Sequence, residues 1–366
     1  MQLLMDILTN DQAATTASII KACKKVQEEK PGIRIREMAK VLNLSEAQLL
    51  ATQMDGEVTR LKPEWEKILK RLPELGRVMS LTRNDSCILE HKGAFEKVNV
   101  FGKGDHKIGT VIGPIETRVF LNSWYVAYAV KSRKRDRSLT SLQVFDHEGN
   151  AITKIYLQDD SDFEAYEKLV ADFKADDQGT TLSVKAYTPV DYNEAVDQKV
   201  FLEDWSNLKD THDFFPLLKK YKVHRYHAVE LAKDKFAYPI QIKEVQELVE
   251  KAAKQKLPIM IFAGNRGNLQ IHQDTIRTIR LLERGHTGIE KWLNVLDPNF
   301  NMHLRMDLVE YAWVVTKPTS DGDVTSVECF DADKNLVVQF FGLRKPGQPE
   351  LTEWKELVSA LHKLDS

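Results

Sequence analysis

The chain has 366 residues, 42% hydrophobic and 29% charged with only 17 Gly and 12 Pro, a globular composition that excludes disorder, collagen-like repeats and coiled coil. Two domains are expected, because single cores rarely grow past about 250–300 residues. Lys plus Arg less Asp plus Glu is 52 − 54 = −2, so bulk charge draws the chain neither to nucleic acid nor to an anionic membrane.

The N-terminal MQLLMDILTNDQAATT lacks the basic region and apolar run of a signal peptide, and no stretch approaches the roughly 20 apolar residues of a membrane span. Cys23, Cys87 and Cys329 are odd in number, far apart and outside any CxxC spacing, which suits a reducing compartment. A cytoplasmic protein is expected. Residues 33–53, IRIREMAKVLNLSEAQLLATQ, predict helix, short turn, helix, the spacing of a DNA-binding helix-turn-helix. The would-be recognition helix, SEAQLLATQMD, carries no Lys or Arg to meet phosphate, which disfavours that use.

Short β-rich segments follow, starting near Val78, Ser86, Lys97, Ile108, Arg118, Val126, Leu142 and Ile152, and a closing helix spans 164–173. The basic cluster KSRKRDR at 131–137 lies between two of these strands and reads as a solvated hairpin loop. A polar, turn-rich linker near 175–199 leads to a helical stretch over 202–256. Strands resume near Ile259, Leu269, Ile276, Leu293, His303, Ala312, Val324 and Leu336, and a last helix covers 352–361.

The two series are one pattern written twice. At an offset of 185, residues 118–156 give 8 identities in 39 columns, among them Thr140/Thr325, Ser141/Ser326, Phe145/Phe330, Asp146/Asp331 and Asn150/Asn335. Upstream, GRVMSLTRNDSCILEHKG at 76–93 answers LPIMIFAGNRGNLQIHQD at 257–274 at an offset of 181. Helices, then strands at roughly ten-residue spacing, then one helix predict a duplicated α+β fold with antiparallel sheet. The expected organisation is an extension over 1–20, a first repeat over 21–180, a linker over 181–200 and a second repeat over 201–366.

No GxGxxG follows a strand, and GxxxxGK[ST], HExxH and GxSxG are absent. The ten histidines are His91, His106, His147, His212, His224, His227, His272, His286, His303 and His362. Of these, His224 and His227 stand three apart, but a metal site needs a third ligand. His212 sits in LKDTHDFFPLLKKY, where Asp210 or Thr211 can cap a helix whose first turn holds the imidazole and where Pro216 is tolerated. A helix N-terminus disfavours the protonated imidazole, and neutral imidazole is what a metal needs. On these residues alone a buried or capping histidine and an iron ligand both stand.

THDFF at 211–215, FAGNRG at 262–267, WLNVLDPNFNMHL at 292–304 and KPTSDG at 317–322, carried on a duplicated chain, resemble the bacterial cytoplasmic hemin-degrading factors, the HemS-like and ChuS-like haem transport proteins. The resemblance runs over nearly the whole chain beyond the first 20 or so residues. It implies one haem in a cleft between the halves, with His212 as axial ligand to the iron. It implies Arg118 near the haem on the opposite side and Phe120 as a pocket wall. Met260 and Phe262 match apolar contacts, and Lys317, Gln339 and Arg344 match polar pocket residues, the two cations suiting propionates. Where the family usually carries tyrosine this chain has Phe341, which keeps the ring and loses a hydroxyl donor; the repeat sets Tyr156 opposite it.

The implied activity is receipt of imported haem b, as substrate or cargo, and its breakdown to free iron, with Arg118 and His212 as catalytic residues and an external electron donor. The alternative is a carrier that delivers haem to a separate oxygenase. Implied partners are haem, an inner-membrane haem importer and a downstream haem oxygenase, with no nucleic acid. His91 and His272 occupy matching places in the repeat and are the candidates for any second haem.

Overall fold

A computed structural model describes residues 15–54, 57–134, 137–284, 289–344 and 347–364. They form two compact units, and each takes in a short piece of distant sequence. The first holds the residues up to 81, 92–188 and 265–268; the second holds 82–91, 189–264 and the residues from 269 on.

The first unit opens with helix α1 (Thr16–Glu29), capped by the Thr15 side chain and burying Ile19, Ala22 and Val26, the spacing of one helix face. Helix α2 (Ile35–Leu42) stops at Asn43, which takes the left-handed conformation, φ 52°. Helix α3 (Glu46–Ala51) starts in a capping box of Ser45 and Gln48. The helix-turn-helix spacing is therefore real, but α3 buries Glu46, Ala47, Leu49, Leu50 and Ala51, which leaves it no free face for a DNA groove. Strand β1 (Val58–Leu61) and helix α4 (Trp65–Arg71) precede β2 (Gly76–Arg83). A ladder of β4 (Asn99–Phe101), β5 (Ile108–Val111) and β6 (Glu116–Phe120) follows.

Strands β7 (Val126–Lys134), β8 (Arg137–Phe145) and β9 (Ala151–Ser161) then build a sheet in the order β1-β7-β8-β9-β2, closed by helix α5 (Phe163–Phe173) behind the Asp162 cap. The basic cluster lies at the turn of the β7–β8 hairpin, whose last described pair is Lys134 and Arg137.

The second unit carries helices α6 (Gln198–Ser206), α7 (Phe214–Tyr221) and α8 (Arg225–Leu231), strand β10 (Ala237–Ile240) and helix α9 (Ile242–Gln255). Its larger sheet runs β10-β16-β17-β18-β11-β12, from β11 (Pro258–Gly264), β12 (Asn268–Thr275), β16 (Tyr311–Lys317), β17 (Val324–Phe330) and β18 (Leu336–Gly342). A second ladder joins β13 (Ile279–Arg284), β14 (Glu290–Leu296) and β15 (Phe300–Arg305) to residues 87–91 of β3 (Cys87–Ala94). Helix α10 (Thr352–Ser359) closes the unit. Val245, Leu248, Val249 and Ala252 of α9 pack on Ile259, Ile261, Val338 and Phe340, each such large side chain contributing about 1.5–3 kcal/mol by burial.

Ladders β1–β7, β11–β12, β16–β17, β7–β8 and β8–β9 are all antiparallel, as the α+β reading expects. All sixteen expected strands are present, and each half adds one four-residue strand, β1 and β10. Both are too short to show a period, and Pro239 in β10 reads as a breaker; it is tolerated because β10 is an edge strand. Residues 175–197 run without helix or strand. Residues 1–14 of the expected extension lie outside the described residues, and α1 begins within its last few positions.

The repeat extends to hydrogen bonds. In the first unit the Asn265 side chain donates to the Ile152 carbonyl at 2.8 Å. In the second, Asn84 donates to the Val337 carbonyl at the same 2.8 Å. The asparagines are 181 apart and the carbonyls 185, the two offsets of the sequence repeat.

Candidate functional site

Successive residues of a strand face opposite ways, so the larger sheet of the second unit has two chemically distinct faces. Ile259, Ile261, Val327, Cys329, Val338 and Phe340 point into the core. The other face carries Met260, Phe262, Ser326, Glu328, Gln339 and Phe341, in rows set by the pairs Met260–Phe341, Phe262–Gln339, Ser326–Phe341 and Glu328–Gln339. The Phe262 and Phe341 rings meet at 5.0 Å.

Glu328 is fully buried at the centre of this face. Its carboxylate accepts from Arg225 Nε and Nη2, both at 2.8 Å, from Lys317 Nζ at 2.9 Å, and from Ser326 Oγ and Gln339 Nε2 at 3.0 Å each. Burial alone would raise its pKa, but Arg225 and then Lys317 hold it well below the carboxylate range. Lys317 is pushed down by its own burial against the pull of Glu328. Two cations face one carboxylate, which leaves one positive charge in surplus. Both cations also lie over the Phe214 ring, Lys317 Nζ at 4.8 Å and the Arg225 guanidinium at 5.1 Å.

Phe214 starts α7, and the 3-10 turn Thr211–Asp213 before it carries His212. Asp210 caps this turn: one carboxylate oxygen accepts the His212 backbone N–H at 2.8 Å and sits 2.5 Å from His212 Nδ1. The Asp213 carboxylate answers by accepting from the Asp210 and Lys209 backbone N–H groups. Ser320, in the KPTSDG turn, donates its N–H and its hydroxyl to the Lys209 carbonyl, at 2.9 and 3.2 Å. The imidazole itself is 90% exposed, with Nε2 turned to solvent.

The expected site residues divide between the units. Arg118 and Phe120 lie on β6 of the first, with Phe120 half-buried and the Arg118 guanidinium bonded to Glu116 at 3.0 Å. The second unit brings His212, Met260, Phe262, Lys317, Gln339, Phe341 and Arg344 into one body. Two of the expected polar residues turn to a common partner. Lys317 is 2% exposed and its ammonium is paired with Glu328. Gln339 likewise turns its amide to that carboxylate and not outward. Arg344 reaches Asp321 at 3.3 Å and keeps a buried Nε without a partner. Sequence reasoning missed Asp210 as partner of the His212 ring, and it missed Arg225, Glu328 and the ring of Phe214. The available signal was Glu328 itself, a carboxylate in an apolar strand that must be matched by cations.

His91, His272 and His224 are structural in setting. His91 and His272 are 4% and 6% exposed in the second unit, where Gln270 Nε2 meets His91 Nδ1 at 2.7 Å, His91 Nε2 meets His272 Nδ1 at 3.4 Å, and His272 stacks on Phe300 at 3.7 Å. Burial drives their pKa values down to about 3 and about 4. His224 caps α8, and among the described residues no group of three His, Cys, Asp or Glu could hold a metal ion. His286 lies outside the described residues.

The haemin-degrading HemS.ChuX domain matches residues 43–173 and 222–361. The chain belongs to this family. Among curated members, the hemin transport protein HmuS of Yersinia pestis is 31% identical over 95% of this chain and 99% of its own length. HemS of Yersinia enterocolitica, also a hemin transport protein, is 32% identical over 95% and 98%. Holo-PhuS, a heme-binding protein from Pseudomonas aeruginosa, superposes with a TM-score of 0.90 at 37% identity, over 96% of this chain and all of that one. The heme degrading enzyme ChuS of Escherichia coli O157:H7 gives a TM-score of 0.86 at 30% identity, over 95% and 99%. Each of these four relatives matches over 98% or more of its own length. No helix among the described residues is long and apolar enough to cross a membrane.

Proposed function

We propose that the protein binds haem b in the cytoplasm, takes it after import and degrades it to release iron, using an external electron donor. The observation that carries the reading is the His212 turn. An exposed imidazole, tied through Nδ1 and open at Nε2, stands two residues before Phe214, whose ring carries the cations Arg225 and Lys317 of an aromatic sheet face. Those are the parts an iron porphyrin requires: one nitrogen ligand, apolar walls and positive charge for propionates. Phe262 and Phe341 supply the walls, and Arg225 and Arg344 the charge, with Lys317 and Gln339 supporting Arg225 through Glu328. The catalytic residues in this reading are His212, which ligates the iron, and Arg118, which orients polar groups beside the haem. Haem supplies the oxidative chemistry once bound, and the chain positions and shields it.

The family description and the naming of the relative ChuS as heme degrading support breakdown. The transport names of HmuS and HemS support the alternative, a carrier that receives haem from a membrane importer and passes it to a separate oxygenase. A hemin titration of the apo protein, followed by the Soret band, tests the common part: one equivalent is expected to saturate wild type, and His212→Ala is expected to shift the band and weaken binding about tenfold or more. Absence of saturation, or a variant identical to wild type, refutes the site. Reductant added to the complex with catalase present then separates the two roles, since steady loss of porphyrin absorbance marks the degrader and a stable band the carrier.

A further inference from the structure

We propose that Asp210 is a positioning residue for the iron ligand: it fixes His212 in the Nδ1–H tautomer with the Nε2 lone pair outward, and makes that imidazole a stronger donor. The inference rests on the haem reading above. One Asp210 oxygen meets both the His212 backbone N–H, at 2.8 Å, and Nδ1, at 2.5 Å, so ring and backbone are held to the same point. A carboxylate only accepts, and Nδ1 must therefore carry the hydrogen. The carboxylate is itself braced. Asp210 N–H is bonded back to Asp213 at 3.0 Å, and the preceding carbonyl, of Lys209, is fastened by Ser320 at 2.9 Å.

An imidazole with 90% of its side chain exposed has no packing to choose its tautomer or aim its ring, so this hydrogen bond does both. Negative charge behind Nδ1 raises the electron density at Nε2, which strengthens a bond to iron and favours the ferric state over the ferrous.

Asp210 also caps the turn, and the test separates capping from donor tuning. Asn is as good a cap as Asp, so Asp210→Asn in the full-length chain keeps the turn and removes the charge. Its melting temperature is expected to match wild type. In the ferrous haem complex the iron–histidine stretching band is expected to move to lower frequency, the ferric/ferrous midpoint to rise, and hemin binding to weaken about tenfold. A band and midpoint identical to wild type would overturn the proposal. His212→Ala run alongside keeps the two claims apart: a band that depends on His212 and not on Asp210 sinks only the positioning role, whereas a band indifferent to His212 sinks the haem reading and this proposal with it.

Discussion

Glu328→Gln removes one charge from a site with no solvent to compensate. The carboxylate accepts from five donor atoms on Arg225, Lys317, Ser326 and Gln339 and is fully buried. The substituted amide turns an N–H toward that crowd of donors and leaves Lys317, 2% exposed, without its counter-ion. Breaking a buried pair from one side costs about 3–5 kcal/mol, a fall in melting temperature of roughly 6–20 °C for a unit of this size. The pH dependence fixes the cause. In the variant, Lys317 loses the only carboxylate that held its proton, so its folded pKa drops further below the unfolded value of about 10.4. The unfolded chain then binds more protons than the folded one, and stability rises with pH.

The thermal deficit measured by circular dichroism is therefore expected to shrink from pH 7 to pH 9. Glu328→Gln combined with Lys317→Met is expected to recover most of the loss. In wild type Glu328 adds a slope of the same sign in a lower window: its depressed pKa contributes stability above about pH 4.3 that is lost as pH falls below it. A single variant within about 1 kcal/mol of wild type, or a deficit independent of pH, would refute the account.

The paired asparagines give a second expectation. Asn84→Ala and Asn265→Ala each leave a buried strand carbonyl without its donor, so each should cost about 1–3 kcal/mol in urea unfolding, and unequal effects would argue against equivalence of the two tips. His91 and His272 give a third. Both are held neutral by burial while the unfolded imidazoles protonate near pH 6.5, so stability should fall as pH drops from 6.5 to 4, by on the order of 3 kcal/mol per histidine at the lower end. Replacing both by Leu should flatten that limb of the stability profile, and an unchanged slope would assign it elsewhere.

The fold was legible because it is written twice. TSLQVFD and TSVECFD mark the same strand in each half, and the polar positions on one side of each ladder make the period visible. Boundaries failed where local pattern carries no information: VTRL and AYPI become strands only because β7 and β16 offer them a partner edge. The His212 turn was legible through its cap, since Asp, Thr and an early Pro prescribe it. Its exposure was not, because a sequence does not tell which side of an amphipathic α7 meets the sheet. The setting of Lys317 was not legible for a related reason. The motif KPTSDG names a cation but not its partner, and Glu328 sits eleven residues away on the adjacent strand.

The duplication also shows what sets the His212 turn of one half apart from its counterpart in the other. Helix α2 with its left-handed stop at Asn43 corresponds to α7 with its stop at Lys222, and α3 corresponds to α8, all 179 residues apart. The apparent DNA-binding motif over 33–53 is thus the first-half copy of the helix pair that follows His212. In that copy Ile33 stands where His212 stands and Pro31 where Asp210 stands, so imidazole and hydrogen-bond acceptor are both missing.

The charges reverse as well. Arg225, first residue of α8, reaches across to Glu328 on the sheet, whereas its counterpart Glu46, first residue of α3, reaches Lys154 on β9 at 2.5 Å. The second half keeps two cations for one carboxylate and so retains positive charge to offer an anionic ligand. The first half pairs one with one, at 8% and 6% exposure, and has none to spare. With imidazole, acceptor and surplus charge all absent from one copy, the proposed haem ligand belongs to the second half alone, and the first keeps only a packed helix.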